Sequence, residues 1–207
     1  MKTTPIQFSL LSGPLRLSFV KHRDRYAQRL EIKVANQSNE AENADKGGMF
    51  MPLWETMEAV TAANHSSTDW PASPPLQEVH FETRPDGRQI ALAVGRAGSS
   101  HWSLSVEPFT AGCGFVMDVA CRVREIPLWL GSSYRRVTGK DQLLESATYL
   151  SDDHRNLSER IQFAPSPEFE EQTRLEFYLE GWNICPADLH GPLPRTIRWQ
   201  YHVIGQA

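Results

Sequence analysis

The chain has 207 residues, of which 40% are hydrophobic and 22% are charged, and its net charge at pH 7 is −4. A chain of this length is typical of a single globular domain, and folding buries about 70% of its extended surface. The mild acidity and the scattered Lys and Arg residues argue against a nucleic-acid partner, because no basic patch stands out.

Targeting features and cysteine usage both favour the cytoplasm. The N-terminal region has no unbroken apolar run of the kind that a secretory signal needs, and no segment approaches the roughly 18 apolar residues of a membrane span. Cys113, Cys121 and Cys185 are an odd number of cysteines without Cys-x-x-Cys spacing. We therefore expect a cytoplasmic protein without an intramolecular disulfide, a membrane partner or a cofactor.

Apolar and polar residues alternate along most of the chain, which predicts β-strands with one face in the core. In chain order, strands are expected at 6–10, 15–19, 30–34, 78–83, 88–94, 102–106, 115–123, 175–179 and 197–203, with weaker candidates at 127–137 and 159–164. The Pro-Asp-Gly sequence at 85–87 is a turn that joins two of these strands in a hairpin. Short loops between strands favour an all-β fold over residues 1–207, either an antiparallel β-sandwich or a lipocalin-like barrel.

An insertion at 36–76 interrupts the alternation. Its first part, 36–48, is polar and is expected to be mobile. The part at 52–63 carries apolar residues at helical spacing, namely Leu53, Met57 and Val60. We therefore expect one short helix at about 52–63, with its apolar stripe over the sheet and any ligand cavity between the two.

The sequence GRAGSSHW at 95–102 combines glycines, serines, Arg96 and His101 between two predicted strands. A phosphate-binding loop needs glycines that lead from a strand into a helix, and neither a P-loop nor a dinucleotide-binding spacing is present. We therefore expect a hairpin bend, in which the glycines supply positive φ angles.

His101 and Asp118 are the candidate catalytic residues. If the two strands share an apolar face, a six-residue loop at 107–112 places His101 opposite Asp118 on the other face. A carboxylate beside an imidazole fixes its tautomer and favours its charged form, as general acid–base catalysis requires. The simpler interpretation is a cross-strand pair that only stabilises a solvated face.

The candidate binding residues lie around the same face. Small residues such as Ser103 leave room for a ligand, and Arg122 projects from that face. Arg96 in the loop at 95–100 and Trp54 in the insertion complete the set. An exposed tryptophan suits stacking on a carbohydrate, but it also suits packing as part of a lid.

Two clusters contain residue types that bind metals: Asp152, Asp153 and His154, and then Cys185, Asp188 and His190. Neither cluster has the spacing of a zinc site or an EF-hand. Turn and capping roles are favoured, because aspartate side chains readily bond to nearby backbone groups. No metal is therefore predicted.

The leading expectation for function is a non-catalytic binding protein for a small organic or saccharide ligand. One alternative is a hydrolase- or isomerase-like enzyme that uses His101 and Asp118. Another is a self-associating scaffold, a homo-oligomer whose exposed sheet face is the interface. Architecture alone does not decide among these.

Overall fold

A computed structural model describes residues 8–34, 49–57, 69–137, 159–178 and 181–206. They form thirteen β-strands and a short 3-10 helix, Pro167–Phe169, and none of the described helical segments is long and apolar enough to cross a membrane. The strands are β1 (Phe8–Ser12), β2 (Leu15–His22), β3 (Arg25–Val34), β4 (Met49–Thr56), β5 (Leu76–Thr83), β6 (Gln89–Ala97), β7 (Ser100–Pro108), β8 (Gly114–Val123), β9 (Ser132–Arg136), β10 (Ile161–Pro165), β11 (Thr173–Tyr178), β12 (Gly181–Pro186) and β13 (Arg195–Gly205).

The strands form one antiparallel sheet that is nearly closed into a barrel. Neighbours follow the order β10-β13-β8-β7-β6-β5-β3-β4-β9-β12-β11, and β2 joins β1 to β3. The two ends of this series approach each other, and Thr173 Oγ1 of the last strand, β11, donates a hydrogen bond to the carbonyl of Gln200 in β13, the second strand, at 3.2 Å. The predicted antiparallel all-β class is therefore confirmed.

Large aromatic side chains fill the interior of the barrel. The rings of Trp102 and Trp199 are fully buried and meet edge to face, with centroids 6.1 Å apart. Small buried residues on β6, Ala91 and Ala93, leave room for such rings. Because side chains occupy this space, a ligand site has to be sought at the ends or on the outer face of the barrel.

The predicted strands agree with the structure within the described residues. β5 and β6 form the predicted hairpin, and Gly87 in its turn has a φ of 85°. The weaker candidates correspond to β9 and β10. β12 was not predicted, because only Trp182 and Ile184 alternate in it and Pro186 favours a loop.

The predicted helix at 52–63 is wrong where the structure describes it. Residues 52–56 belong to β4, whereas 58–63 lie outside the described residues, as does the segment 36–48 that was expected to be mobile. Leu53 is nevertheless buried, as predicted.

A β-bulge explains this error. Leu30 of β3 pairs with Trp54, but the next residue, Glu31, pairs with Pro52, so Leu53 is an extra residue in β4. The extra residue breaks the period-two alternation that marks the other strands. Leu53 and Trp54 are therefore both buried, so β4 lacks the alternation from which the other strands were predicted, whereas Met57 and Val60 of the expected stripe lie beyond the end of this strand.

All three cysteines are free, as predicted from their odd number and spacing. Burial raises the pKa of Cys121 to about 12 and that of Cys185 to about 11. Cys113 is only half-buried, and its thiol donates a hydrogen bond to the carbonyl of Ser12 at 2.9 Å.

Candidate functional site

Strands β7 and β8 pair in a register that differs from the predicted one. His101 lies opposite Arg122 rather than opposite Asp118. The faces are as predicted, because the apolar pattern fixes which side each residue takes but allows slippage by two residues at a time. β7 continues to Pro108, so the loop lies further along the chain than the predicted 107–112.

Asp118 has a different partner from the one predicted. It lies opposite Ser105, and its carboxylate accepts hydrogen bonds from Nε, at 2.7 Å, and Nη2 of Arg198 in β13. His101 lies four residues further along the sheet, which is about 14 Å. The predicted pairing of His101 with Asp118 is wrong, and the hypothesis of general acid–base catalysis loses the contact on which it was based.

Three basic side chains instead form a row across the outer face of the barrel, which we call the basic row. Arg96 of β6 pairs with His101 of β7, and His101 pairs with Arg122 of β8. All three are exposed, and Thr196 of β13 continues the row. Because neighbouring strands lie about 4.8 Å apart, the three backbone positions fall within about 10 Å.

Gln77 of β5 holds the backbone of Arg96 in place. The Arg96 N–H donates to Gln77 Oε1 at 3.2 Å, and Gln77 Nε2 donates to the Arg96 carbonyl at 3.4 Å. Arg96 Nε donates to the carbonyl of Gly98 at 3.2 Å, in the β6–β7 turn where Gly98 has a φ of 53°. The predicted hairpin bend is thus present, and it positions the guanidinium group at the end of the row.

The basic row borders an open groove of about 480 Å³. The next row of the same face, Val94, Ser103 and Ala120, consists of small or medium-sized side chains that line the groove. Four of the six residues predicted for a site therefore line one groove: Arg96, His101, Ser103 and Arg122. Gln77 and Thr196 also line it and were not predicted, since only the strand order brings β5 and β13 to this face.

The basic side chains of the groove form no ion pairs within the part of the chain that the structure describes. Among the described residues, no carboxylate lies within 4.0 Å of the side-chain nitrogens of Arg96, His101 or Arg122. Glu78 also lines the groove, but its carboxylate lies 3.6 Å from Nε2 of His80 rather than beside the basic row. The basic row is therefore available to an anionic ligand.

Trp54, the remaining candidate binding residue, lies in the core. Only 2% of its surface is exposed, and its ring meets Phe163 edge to face at 5.9 Å. Trp70, the other tryptophan of the 36–76 segment, is buried as well. An exposed position was expected for Trp54 because it lies in the insertion, but the bulged strand β4 places its side chain inside.

Only one of the two clusters of potential metal ligands lies within the described residues. Asp188 Oδ1 accepts hydrogen bonds from the backbone N–H of His190 at 2.8 Å and contacts its Nδ1 at 3.1 Å, the turn role that was favoured. The cluster at 152–154 lies outside the described residues. Within the described part, no group of three His, Cys, Asp or Glu side chains is placed to hold a metal ion.

Comparisons with protein-family models, with curated proteins and with solved structures find no match for this chain. By its own geometry, the protein is an antiparallel, nearly closed β-barrel with a basic groove on its outer face.

Proposed function

We propose that this protein is a non-catalytic binding protein for a small organic anion and that the ligand binds in the groove beside the basic row. The supporting observation is the alignment of Arg96, His101 and Arg122 without carboxylate partners. Guanidinium groups bind carboxylates and phosphates through charge-assisted hydrogen bonds, which are stronger than neutral ones. Side chains on neighbouring strands also offer a more rigid arrangement than side chains on loops.

The rest of the groove suits a ligand with a compact body. Its volume of about 480 Å³ falls in the range that small-molecule sites occupy. Val94 is 45% exposed and offers apolar contact, whereas the exposed Ser103 offers a hydroxyl group. A sugar phosphate or a short organic acid would combine these features with the required negative charge.

We further propose that binding takes place in the cytoplasm and within a single subunit. Three free thiols suit a reducing compartment. All the groove residues named above belong to one chain, so a second copy is not needed to complete the site.

Calorimetric titration with a sugar phosphate, succinate and neutral glucose tests the proposal. We expect the two anions to bind, glucose to bind much more weakly, and the affinity for the anions to fall as the salt concentration rises. Arg96→Gln and Arg122→Gln should each weaken anion binding by about 10-fold or more, the loss of one charge-assisted hydrogen bond.

Arg84→Gln is the matched control. Arg84 lies in the turn at the opposite end of β6, where it forms an ion pair with Glu107, and its replacement changes the net charge by the same amount. This variant should bind the anions as the unchanged protein does. Equal binding of glucose, or unchanged affinity in the Arg96→Gln/Arg122→Gln double variant, would contradict the proposal.

A further inference from the structure

Arg195 is the first residue of β13 and belongs to the inward-facing side of that strand. It alternates with Ile197 and Trp199, which are buried in the core. It pairs with Val123, the last residue of β8, which is also buried. Arg195 therefore places a guanidinium group at one end of the barrel interior, on the opposite side of the wall from the basic row.

Two nitrogen atoms of this guanidinium group are buried without partners. Nε and Nη2 of Arg195 are inaccessible to solvent and have no hydrogen-bond partner among the described residues. Arginine does not lose its proton in proteins, so this charge persists at any physiological pH. Buried charges are stable only when an opposite charge or several hydrogen bonds compensate them.

Other arginines of the same protein show what this pair of nitrogens binds. Nε and Nη2 of Arg16 donate to the two carboxylate oxygens of Glu31, at 2.6 and 2.9 Å. Nε and Nη2 of Arg198 donate in the same way to the two oxygens of Asp118. The same edge of Arg195 is thus shaped for two adjacent oxygen atoms of one anion.

The loop at 187–194 covers Arg195. A Cβ atom at Gly191 would lie 2.6 Å from Nη1 of Arg195, so the glycine backbone is packed directly on the guanidinium group. Asp188 is the acid of this loop, and its pKa is lowered by hydrogen bonds from His190 and, to a smaller extent, by the charge of Arg195. Asp188 forms no ion pair with Arg195, however, and its carboxylate is exposed.

We propose that Arg195 binds an oxyanion with two adjacent oxygen atoms, such as a carboxylate or a phosphate, beneath the loop at 187–194. The two nitrogens are closed to solvent, so the loop has to lift for the anion to enter. Trp102 lies in the next inward row, opposite Cys121, and its buried Nε1 also has no partner among the described residues. This end of the barrel therefore offers a second donor. The site is separate from the groove and goes beyond the proposed function.

Thermal unfolding at constant ionic strength tests this site, with phosphate or acetate exchanged for chloride at millimolar concentrations. The melting temperature should rise with the concentration of an oxyanion that binds the folded state. Chloride should stabilise the protein less than either oxyanion, because a single atom accepts the two N–H groups only at bent angles, whereas two oxygen atoms accept them in two nearly straight hydrogen bonds. A rise with phosphate alone indicates a phosphate-bearing ligand, and a rise with acetate alone indicates a carboxylate; both support the site.

Variants separate this site from the groove. The Arg96→Gln/Arg122→Gln double variant, whose groove has lost both guanidinium groups, should still show a shift. Arg195→Met added to this variant should abolish that shift, and Arg195→Lys added to it should lose most of the shift, because lysine keeps the charge but lacks the paired donors. An unchanged shift with Arg195→Lys, or a melting temperature in phosphate and acetate no higher than in chloride, would overturn the proposal, and the calorimetric titrations decide the groove separately.

Hydrogen exchange on the unchanged protein provides a second measurement if Arg195→Met does not fold. Phosphate or acetate should slow the exchange of the backbone amides at 187–191 and at Arg195, because the bound anion holds the loop down. Absence of this protection with either anion would also overturn the proposal.

Discussion

The hydroxyl groups of Tyr134 and Tyr201 lie 2.9 Å apart and share a hydrogen bond across the barrel interior. The Tyr134 hydroxyl also donates to Gln28 Oε1 at 2.9 Å. Since a hydroxyl group has only one proton to donate, Tyr134 accepts the hydrogen bond from Tyr201. All three side chains are buried. This chain of hydrogen bonds links β9, β13 and β3, which are not neighbours in the sheet.

Tyr134→Phe should destabilise the protein more than Tyr201→Phe. The first replacement leaves both the Gln28 carbonyl and the Tyr201 hydroxyl without their partner, at a cost of about 2–3 kcal/mol. The second replacement leaves Tyr134 still bonded to Gln28 and should cost about 1 kcal/mol. Urea denaturation of the two variants gives the comparison, and the reverse order would contradict the direction of these hydrogen bonds.

The same pair predicts a loss of stability in alkaline solution. Burial raises the pKa of Tyr201 to about 12 and that of Tyr134 well above the ordinary value of 10.0. Above pH 10 the unfolded chain releases these protons while the folded chain retains them, so the free energy of unfolding falls until the folded pKa is passed. Denaturation midpoints between pH 9 and pH 11 should fall less steeply in the Tyr134→Phe/Tyr201→Phe double variant.

In the ion pair of Arg16 with Glu31, replacement of the arginine should destabilise the protein more than replacement of the glutamate. Glu31 has a side chain only 5% exposed, whereas that of Arg16 is 27% exposed. Arg16→Met leaves a buried carboxylate with only the hydroxyl of Ser18, and should cost about 3–5 kcal/mol. Glu31→Gln leaves a guanidinium group that can reach water, and should cost about 1–2 kcal/mol. Equal losses in chemical denaturation would show that the two environments are equivalent.

Gly95→Ala should be among the most destabilising single changes. A Cβ atom at Gly95 would lie 1.7 Å from the carbonyl oxygen of Pro75, so the backbone itself has to move. A cost of about 3 kcal/mol or more is expected from such overpacking. Gly87→Ala is the control, since no atom lies within 4 Å of its Cβ position and only the positive φ, at about 1 kcal/mol, opposes it. Similar melting temperatures for the two variants would contradict this prediction.

Thiol reactivity should follow burial. Cys121 and Cys185 are buried and have raised pKa values of about 12 and about 11, whereas Cys113 is half-buried. Because the thiolate is the reactive species, a thiol reagent should label Cys113 first in the native protein. In denaturant without reductant, all three thiols should react. Mass spectrometry of the labelled peptides identifies the order.

In β7 and β8 the side on which each residue lies could be predicted from the sequence, but the partner opposite it could not. In β6 the alternation predicts the wrong side, because the small residues Ala91 and Ala93 are buried whereas Val94 is 45% exposed. His101 was correctly assigned to the outer face because its neighbour Trp102 belongs to the apolar phase. Every shift by two residues preserves that phase, so the sequence does not distinguish Arg122 from Asp118 as its partner. The loop geometry between the strands decides the register, and it is not visible in the apolar pattern.

The candidate site could also be predicted only in part. Arg96, Ser103 and His101 could be grouped because they lie close together along the chain, around one hairpin. Gln77 and Thr196 reach the groove only through the order of strands in the sheet, which depends on contacts distant in the sequence. Arg195 was not predicted because the apolar pattern of β13 begins at Ile197, and the pattern does not show that the strand starts one inward position earlier.

The sheet has a narrow seam between β3 and β5, apart from the place where its two ends approach each other, and this seam has a mechanical consequence. Within the described residues, β3 and β5 share a single pair, Tyr26 with Leu76, whereas β5 pairs with β6 along nearly its whole length. Packing of Phe81 against Phe19, with ring centroids 6.3 Å apart, holds the two sides together there. Aromatic contact resists sliding less than a ladder of backbone hydrogen bonds does. The wall is therefore expected to open at this line more readily than between strands that share a full ladder, so local opening should admit water here before those strands separate.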